Sequence, residues 1–204
     1  MSHTLGIRQV QKQKTRQALM DSALQLLEHQ SLSSLGLREV TRAVGVAPAA
    51  FYRHFKDTAD LGVALVEQAL GSLHDTIRAA IVTTGSSDER IDRAVALIAA
   101  HVRAYPAHVR FIARERHGGV APVREAIGVQ LRRFADEVAG ALGADPESAG
   151  WSPADLRMLA GLYVDHMVMT ASALLEDPGP ESPALATARA QLRLVTLGRR
   201  HWLD

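Results

Sequence analysis

The sequence predicts an all-α protein of nine helices, with a small three-helix head at residues 1–56 and a larger helical body at 57–204. Three observations carry this prediction. Apolar residues recur at helical spacing along the whole chain, and no segment sustains the period-2 alternation of a half-buried strand. Start and stop signals divide that pattern at regular intervals. Residues 36–57, GLREVTRAVGVAPAAFYRHFKD, read as two short helices hinged at Gly45 and followed at once by an aromatic and basic cluster. That is the layout of a helix-turn-helix whose second helix enters the DNA major groove.

The elements follow in order. The first helix is expected at about 11–30, with Leu19, Ala23, Leu26 and Leu27 facing inward. Two short helices follow at about 37–44 and 47–54. Leu37, Val40 and Val44 form one stripe of the first. Gly45 supplies the positive φ that ends it, and Val46 fills the space between the two. Pro48 stands in the first turn of the second helix, where its missing N–H removes no intrahelical bond. Phe51 and Phe55, four apart, turn inward and leave Tyr52, Arg53 and His54 toward the DNA side. Asp57, with Asp60 three residues on, opens a long helix through Leu61, Leu65, Leu70, Leu73 and Ile77 to about Thr83. Gly85-Ser86-Ser87 breaks it, and Ser86 with Glu89 makes a capping box for a helix to about Tyr105. Pro106 opens a shorter helix ending at Gly118-Gly119, and another runs from about Pro122 to Leu142. After a loop at 143–150, Ser152-Pro153-Ala154-Asp155 combines an N-cap, a first-turn proline and an acid, opening a helix to about Glu176. Asp177-Pro178-Gly179-Pro180 stops it, and the last helix covers about Pro183 to Trp202.

Composition narrows the chemistry. The chain of 204 residues is 47% apolar, enough for a packed core, and has no cysteine, which removes disulfides, thiolate-bound zinc and thiol catalysis and suits a reducing cytoplasm. No uninterrupted apolar run reaches the ~18 residues of a membrane span, and the first ten residues lack a signal-peptide apolar stretch, so a cytoplasmic protein with no membrane partner is expected. The net charge of +1 is unevenly spread. Residues 1–56 hold eight Lys/Arg against three acids, a surplus of +5, and the remainder carries −4. A basic head on a mildly acidic body points to a polyanion partner for the head alone.

These residues resemble those of the TetR family of one-component repressors. The resemblance rests on Leu37-Arg38-Glu39-Val40, Gly45-Val46 and Phe51-Tyr52-Arg53-His54-Phe55-Lys56-Asp57, with Ala59-Asp60-Leu61 opening the next helix. It implies a TetR-like architecture in which the body binds a ligand and dimerises. More narrowly, residues 11–16, 34–40, 47–55, 60–62 and Arg114-Glu115-Arg116 resemble the unsaturated-fatty-acid repressors FabR and DesT. That resemblance implies a repressor role in lipid metabolism, sensing long-chain acyl-coenzyme A. The alternative is a repressor of the same fold that senses another lipophilic molecule, such as an exported drug.

The resemblance also implies site residues. Arg38 matches a base-reading position, and arginine to guanine is the commonest bidentate pair. Pro48 and Ala49 lie nearest the groove floor, Tyr52 and His54 match phosphate-contacting positions, and Arg53 is on the same side. Lys56 precedes a helix N-terminus that favours a phosphate, while Lys14 and Arg16, with Arg8 and Lys12, form a basic arm. Gly36, Ala49 and Ala50 stand where many members carry Ser or Thr, which shifts reading toward Arg38, methyl contacts and DNA shape. Two heads on a two-fold dimer would read a palindrome. The dimer surface is expected on the last two helices, because Leu159, Leu162, Tyr163, His166, Val168, Met169 and Leu174 make the penultimate helix apolar nearly all round. The effector cavity is expected among Leu70, Leu73, Ile98, Val102, Phe111, Phe134, Leu162, His166 and Met167. Arg110 and Arg114, which share a helix face, would hold coenzyme A phosphates or else salt-bridge with Glu115, Asp136 and Glu137.

Catalysis is not expected. Asp165-His166 are adjacent and so diverge on a helix, and no nucleophile elbow, phosphate loop or metal triad is present. His54 has no second ligand at helical spacing. No cofactor or metal is expected. A nonspecific architectural DNA binder is a further rival, distinguished by a steep salt dependence with no preferred palindrome.

Overall fold

Local capping chemistry sets most of the helix limits. The computed structural model describes residues 2–81 and 85–203, with only the backbone described for residues 2–7, 72 and 75–81. Among the described residues there are nine α-helices, two 3-10 turns and no strand: α1 (Ser2–Leu26), α2 (Leu37–Val44), α3 (Pro48–Phe51), α4 (Thr58–Ile81), α5 (Ser87–Ala104), α6 (Pro106–Glu115), α7 (Ala121–Gly143), α8 (Pro153–Glu176) and α9 (Pro183–Arg200). The side chain of Ile77 and the helix end expected at Thr83 lie outside the described residues.

Gly45 adopts φ 74, the left-handed conformation that closes α2, and its N–H bonds back to Arg42. Gly36 precedes α2 in extended geometry, and the Glu39 carboxylate accepts its N–H at 3.1 Å. Glycine has no side-chain acceptor to return the bond, so only this half of the capping box closes. Asp57 Oδ1 accepts the Asp60 N–H at 2.8 Å, and Asp60 accepts the Lys56 N–H at 2.9 Å, fixing the start of α4. Ser86 accepts from Glu89 and Ser152 from Asp155, as their spacing predicts.

Three expectations need correction. The first helix begins at Ser2 and ends at Leu26, far upstream of the predicted start. Residues 8–14 are exposed, and an amphipathic stripe is therefore a poor guide to where the helix begins. The second helix of the head is regular only to Phe51, then turns through His54 with bonds from His54 and Phe55 to the Phe51 carbonyl. The loops hold two unpredicted 3-10 turns, Leu32–Ser34 and Pro146–Ser148.

The chain divides into two compact units. The first takes residues up to Ala69 together with Arg110–Ile127. Its interior holds Leu19, Ala23 and Leu27 of α1, Val40 of α2, Phe51 and Phe55, Leu61, Leu65 and Val66 of α4, and Phe111, Ile112, Val123 and Ile127. Leu26 is only half-buried, not fully inward as predicted. Gly62 permits a close approach: a Cβ there would fall 2.5 Å from Leu32 and 2.7 Å from Val123.

The second unit takes Leu70–Val109 and the residues from Gly128 onward. Ile91, Val95, Ala99 and Val102 of α5 pack with Leu174 of α8 and with Leu185, Ala188 and Leu192 of α9. Ion pairs border this layer, Arg189–Asp92 at 2.9 Å and Arg193–Asp88 at 3.0 Å. The buried Arg199 guanidinium anchors the second 3-10 turn by donating to Ser148 Oγ at 2.6 Å and pairing with Asp145 at 3.2 Å. Helix α8 is long and apolar enough in composition to cross a membrane, although polar residues interrupt it. Its Leu159, Ala160, Thr170 and Leu174 are buried within the unit, the ordinary position of a bundle helix.

Candidate nucleic-acid interface

The helix-turn-helix presents its polar face because two phenylalanines hold the other side. Phe51 and Phe55 are buried with ring centroids 5.4 Å apart. One residue after Phe51, Tyr52 is 63% exposed, its ring set edge-on to Phe51 at 5.8 Å. Pro48, Ala49 and Arg53 are exposed beside it, and so are Arg38 on α2 and Lys56 before α4. A short helix and closing turn that together expose a proline, an alanine, a tyrosine and an arginine offer methyl, aromatic and cationic contacts to a groove.

The predicted basic residues separate into two kinds. Lys14 is exposed on α1. Arg16 is half-buried: its Nη1 donates to the His54 carbonyl at 2.9 Å, and its guanidinium lies over the Phe55 ring, 4.3 Å from the centroid. Arg16 thus ties α1 to the turn after α3, a role that sequence spacing does not reveal. His54 is also half-buried rather than fully turned to the DNA side, and its Nδ1 is buried without a partner. Burial first, then the charges of Lys12, Arg16 and Arg53, hold this imidazole below its ordinary 6.5.

The residues predicted to hold an effector fall into both units. In the first unit, Phe111 is buried, and Arg110 and Arg114 both reach the end of α1. Arg110 pairs with Glu28 at 3.8 Å. Arg114 donates to the carbonyls of Leu27 at 2.8 Å, Gln30 at 2.6 Å and Glu28 at 3.3 Å. These partners differ from the predicted Glu115, Asp136 and Glu137. Glu115 itself is 1% exposed and accepts the Leu32 N–H at 2.9 Å. Cationic side chains near a helix C-terminus satisfy its unpaired carbonyls, and this capping occupies Arg114 within the protein.

In the second unit, Leu70, Val102 and Phe134 are buried, while Leu73, Ile98, His166 and Met167 are half-buried. Leu162 corrects the expectation of an interior position, since it is 47% exposed on α8. Burial lowers His166 from its ordinary value against a backbone bond at Ala188. Sequence reasoning missed one polar cluster here. His74 stacks on Phe134 at 4.0 Å, with its two ring nitrogens 3.1 Å from Glu137 and 3.1 Å from Gln130. Gln130 and Glu137 sit seven apart, two turns along α7, which is the signal that would have paired them. In the first unit, Ser22, Gln25, Leu26, His29, Gln30 and Ala43 line an open groove of about 390 Å³. It lacks the apolar enclosure that an acyl chain requires.

Residues 19–65 match the family described as bacterial regulatory proteins, tetR family. The whole fold is TetR-like. It is similar to the transcriptional regulator FadR from Bacillus subtilis, solved in complex with stearoyl-CoA, with a TM-score of 0.71 and 14% identity over 89% of this chain and 98% of that one. A TetR-family regulator from Syntrophomonas wolfei, described as putative, gives 0.74 at 13% identity over 91% and 96%. AibR in complex with isovaleryl coenzyme A and operator DNA gives 0.64 at 14% identity over 88% and 96%. The family match covers the head, and the solved structures share the fold along nearly the whole length.

Proposed function

We propose that the protein is a ligand-responsive transcriptional repressor. It binds a palindromic operator as a homodimer through α8 and α9, and it senses long-chain acyl-coenzyme A to control lipid and unsaturated-fatty-acid genes in the manner of FabR and DesT. The observation that carries the DNA reading is the exposed Pro48–Arg53 surface, set on buried Phe51 and flanked by Arg38 and Lys56. The dimer reading is supported by exposed Met158, Leu162 and Met169 on α8 and Leu194 and Leu197 on α9, an apolar surface that a lone chain leaves in water. The effector reading is supported by the fold shared with regulators solved with acyl-coenzyme A thioesters. Such a protein works in the cytoplasm, without catalysis.

An effector acts only through its different affinity for two states. Straight and kinked acyl chains fill a cavity differently and would favour different spacings of the two heads. Selection of binding duplexes from a random pool, followed by titration with oleoyl- and palmitoyl-coenzyme A, tests both halves. A palindrome should be enriched, and the two thioesters should change its affinity unequally. Failure to enrich a palindrome would sink the operator reading, and equal affinity with both thioesters would sink unsaturation sensing. The His74–Glu137–Gln130 cluster favours a second reading, in which the effector is another lipophilic compound with a polar group. Mass spectrometry of co-purifying material separates the two.

A further inference from the structure

We propose that Arg16 is a positioning residue for DNA binding: it fixes the turn after α3 from inside the protein and touches no phosphate. This rests on the DNA-binding reading above and departs from it at Arg16, which the resemblance assigns to a basic arm on the duplex.

The turn needs support from outside its own segment. Helix α3 has only four residues, Pro48–Phe51, too few to hold a helical conformation alone in water. Its closing turn leans on the Phe51 carbonyl, which accepts from the N–H groups of His54 at 2.8 Å and Phe55 at 3.0 Å. The His54 carbonyl is taken up from 38 residues away, where Arg16 Nη1 on α1 donates to it at 2.9 Å.

A second contact holds the same guanidinium. Its Cζ stands 4.3 Å from the centroid of the Phe55 ring, over the ring face. Phe55 is buried and packs on Phe51 with centroids 5.4 Å apart. A planar guanidinium can stack by its face and donate from its edge at once, which a lysine ammonium cannot. Arg16 is accordingly half-buried, whereas Lys14, two residues earlier on α1, is exposed.

The consequence for DNA is indirect. Tyr52 and Arg53 lie on the segment between Phe51 and His54, and Lys56 follows it. Without Arg16 the two phenylalanines still anchor this segment, but its far end loses the tie to α1. The exposed side chains then sample more orientations, and ordering them on a duplex costs more entropy. Affinity falls although no contact with DNA has been removed.

The experiment uses the full chain and a mixed-sequence duplex, titrated by fluorescence anisotropy between about 50 and 200 mM salt. It compares the wild type with Arg16→Lys, which keeps the charge, and Arg16→Met, which keeps the aliphatic stem. Both variants should bind roughly tenfold more weakly, the usual weight of one charged hydrogen bond. Both should keep the wild-type slope of log affinity against log salt. A phosphate contact predicts otherwise: Arg16→Lys would bind like the wild type, and Arg16→Met would have a slope shallower by about 0.9. Either result overturns the proposal.

Hydrogen exchange in the free proteins gives a readout that needs no DNA. The His54 and Phe55 amides should exchange roughly tenfold faster in both variants, while those of α2 keep the wild-type rate. Unchanged exchange at the two amides also overturns the proposal. If Arg16→Met loses protection throughout the head, it is a folding variant, and Arg16→Lys carries the comparison. If the wild type binds no duplex at any salt, the DNA-binding reading itself falls, an outcome distinct from duplex binding that Arg16→Lys leaves intact.

Discussion

The turn that closes α3 and the helix α8 both expose large side chains, but for opposite reasons. In the turn that closes α3 the exposed Tyr52 adjoins Arg53, and the four-residue helix is held down by Phe51. In α8 the exposed Met158, Leu162 and Met169 have no cation among them except Arg157, and the helix runs for 24 residues. Cationic and aromatic groups left in water suit a charged, wet surface such as a nucleic acid. Thioether and aliphatic groups left in water suit another apolar face. The chemistry of what is exposed, more than its extent, points to the class of partner.

The largest expected effect removes the support of α3. Phe51→Ala leaves a cavity under the recognition surface and should destabilise the first unit by about 3–5 kcal/mol. Thermal unfolding followed by circular dichroism measures it, and a change under about 1 kcal/mol would mean that the head does not depend on this packing.

Next comes the apolar face of α8. Met169, at 67% exposure, has little to lose in a lone chain. Met169→Asp should therefore leave the fold intact while weakening self-association by roughly 1.5–3 kcal/mol per protomer, the value of burying one such side chain. Sedimentation equilibrium reads the dimer constant. Wild-type dimerisation at the same strength would place the interface elsewhere.

On the DNA side, Arg38→Ala should cost about 1–3 kcal/mol of affinity for a selected operator and relax the preference at one base pair. Melting temperature should hold, since Arg38 is exposed. An equal loss on every sequence would reassign Arg38 to the phosphate backbone.

The smallest effect concerns pH and the second unit. Burial, with His108 adding to it, lowers His101 from 6.5, and burial lowers His166. The unfolded chain binds protons at these positions before the folded chain does. Stability should therefore decline as pH falls below about 6.5, levelling once the folded values are passed. Urea unfolding of wild type against His166→Gln between pH 7.5 and 5.0 checks the sign, and identical slopes would remove His166 from the account.

Much of this was legible from residue order. The limits of α2 and α8, the turn at Gly45, the caps at Ser86 and Ser152 and the inward pair Phe51 and Phe55 follow from chemistry within one or two turns of chain. The start of α1 escaped because the exposed residues 8–14 carry no apolar stripe. Arg114 was misdirected for a different reason: its carbonyl partners lie more than 80 residues away, and helical spacing offered nearby acids instead. The His74 cluster was missed on the same ground, since Gln130 and Glu137 are remote in sequence.

Order along the chain alone determined an all-helical protein with a basic helix-turn-helix near its beginning, because periodicity, capping and hinge glycines act over a few residues. Three-dimensional packing alone decided which charged groups remain available. It turned Arg16 and Arg114 to carbonyls inside the first unit, buried Glu115 against the Leu32 N–H, and left Leu162 and Met169 in water. Side chains find their partners by distance in space, and helical periodicity carries no information about neighbours on distant elements.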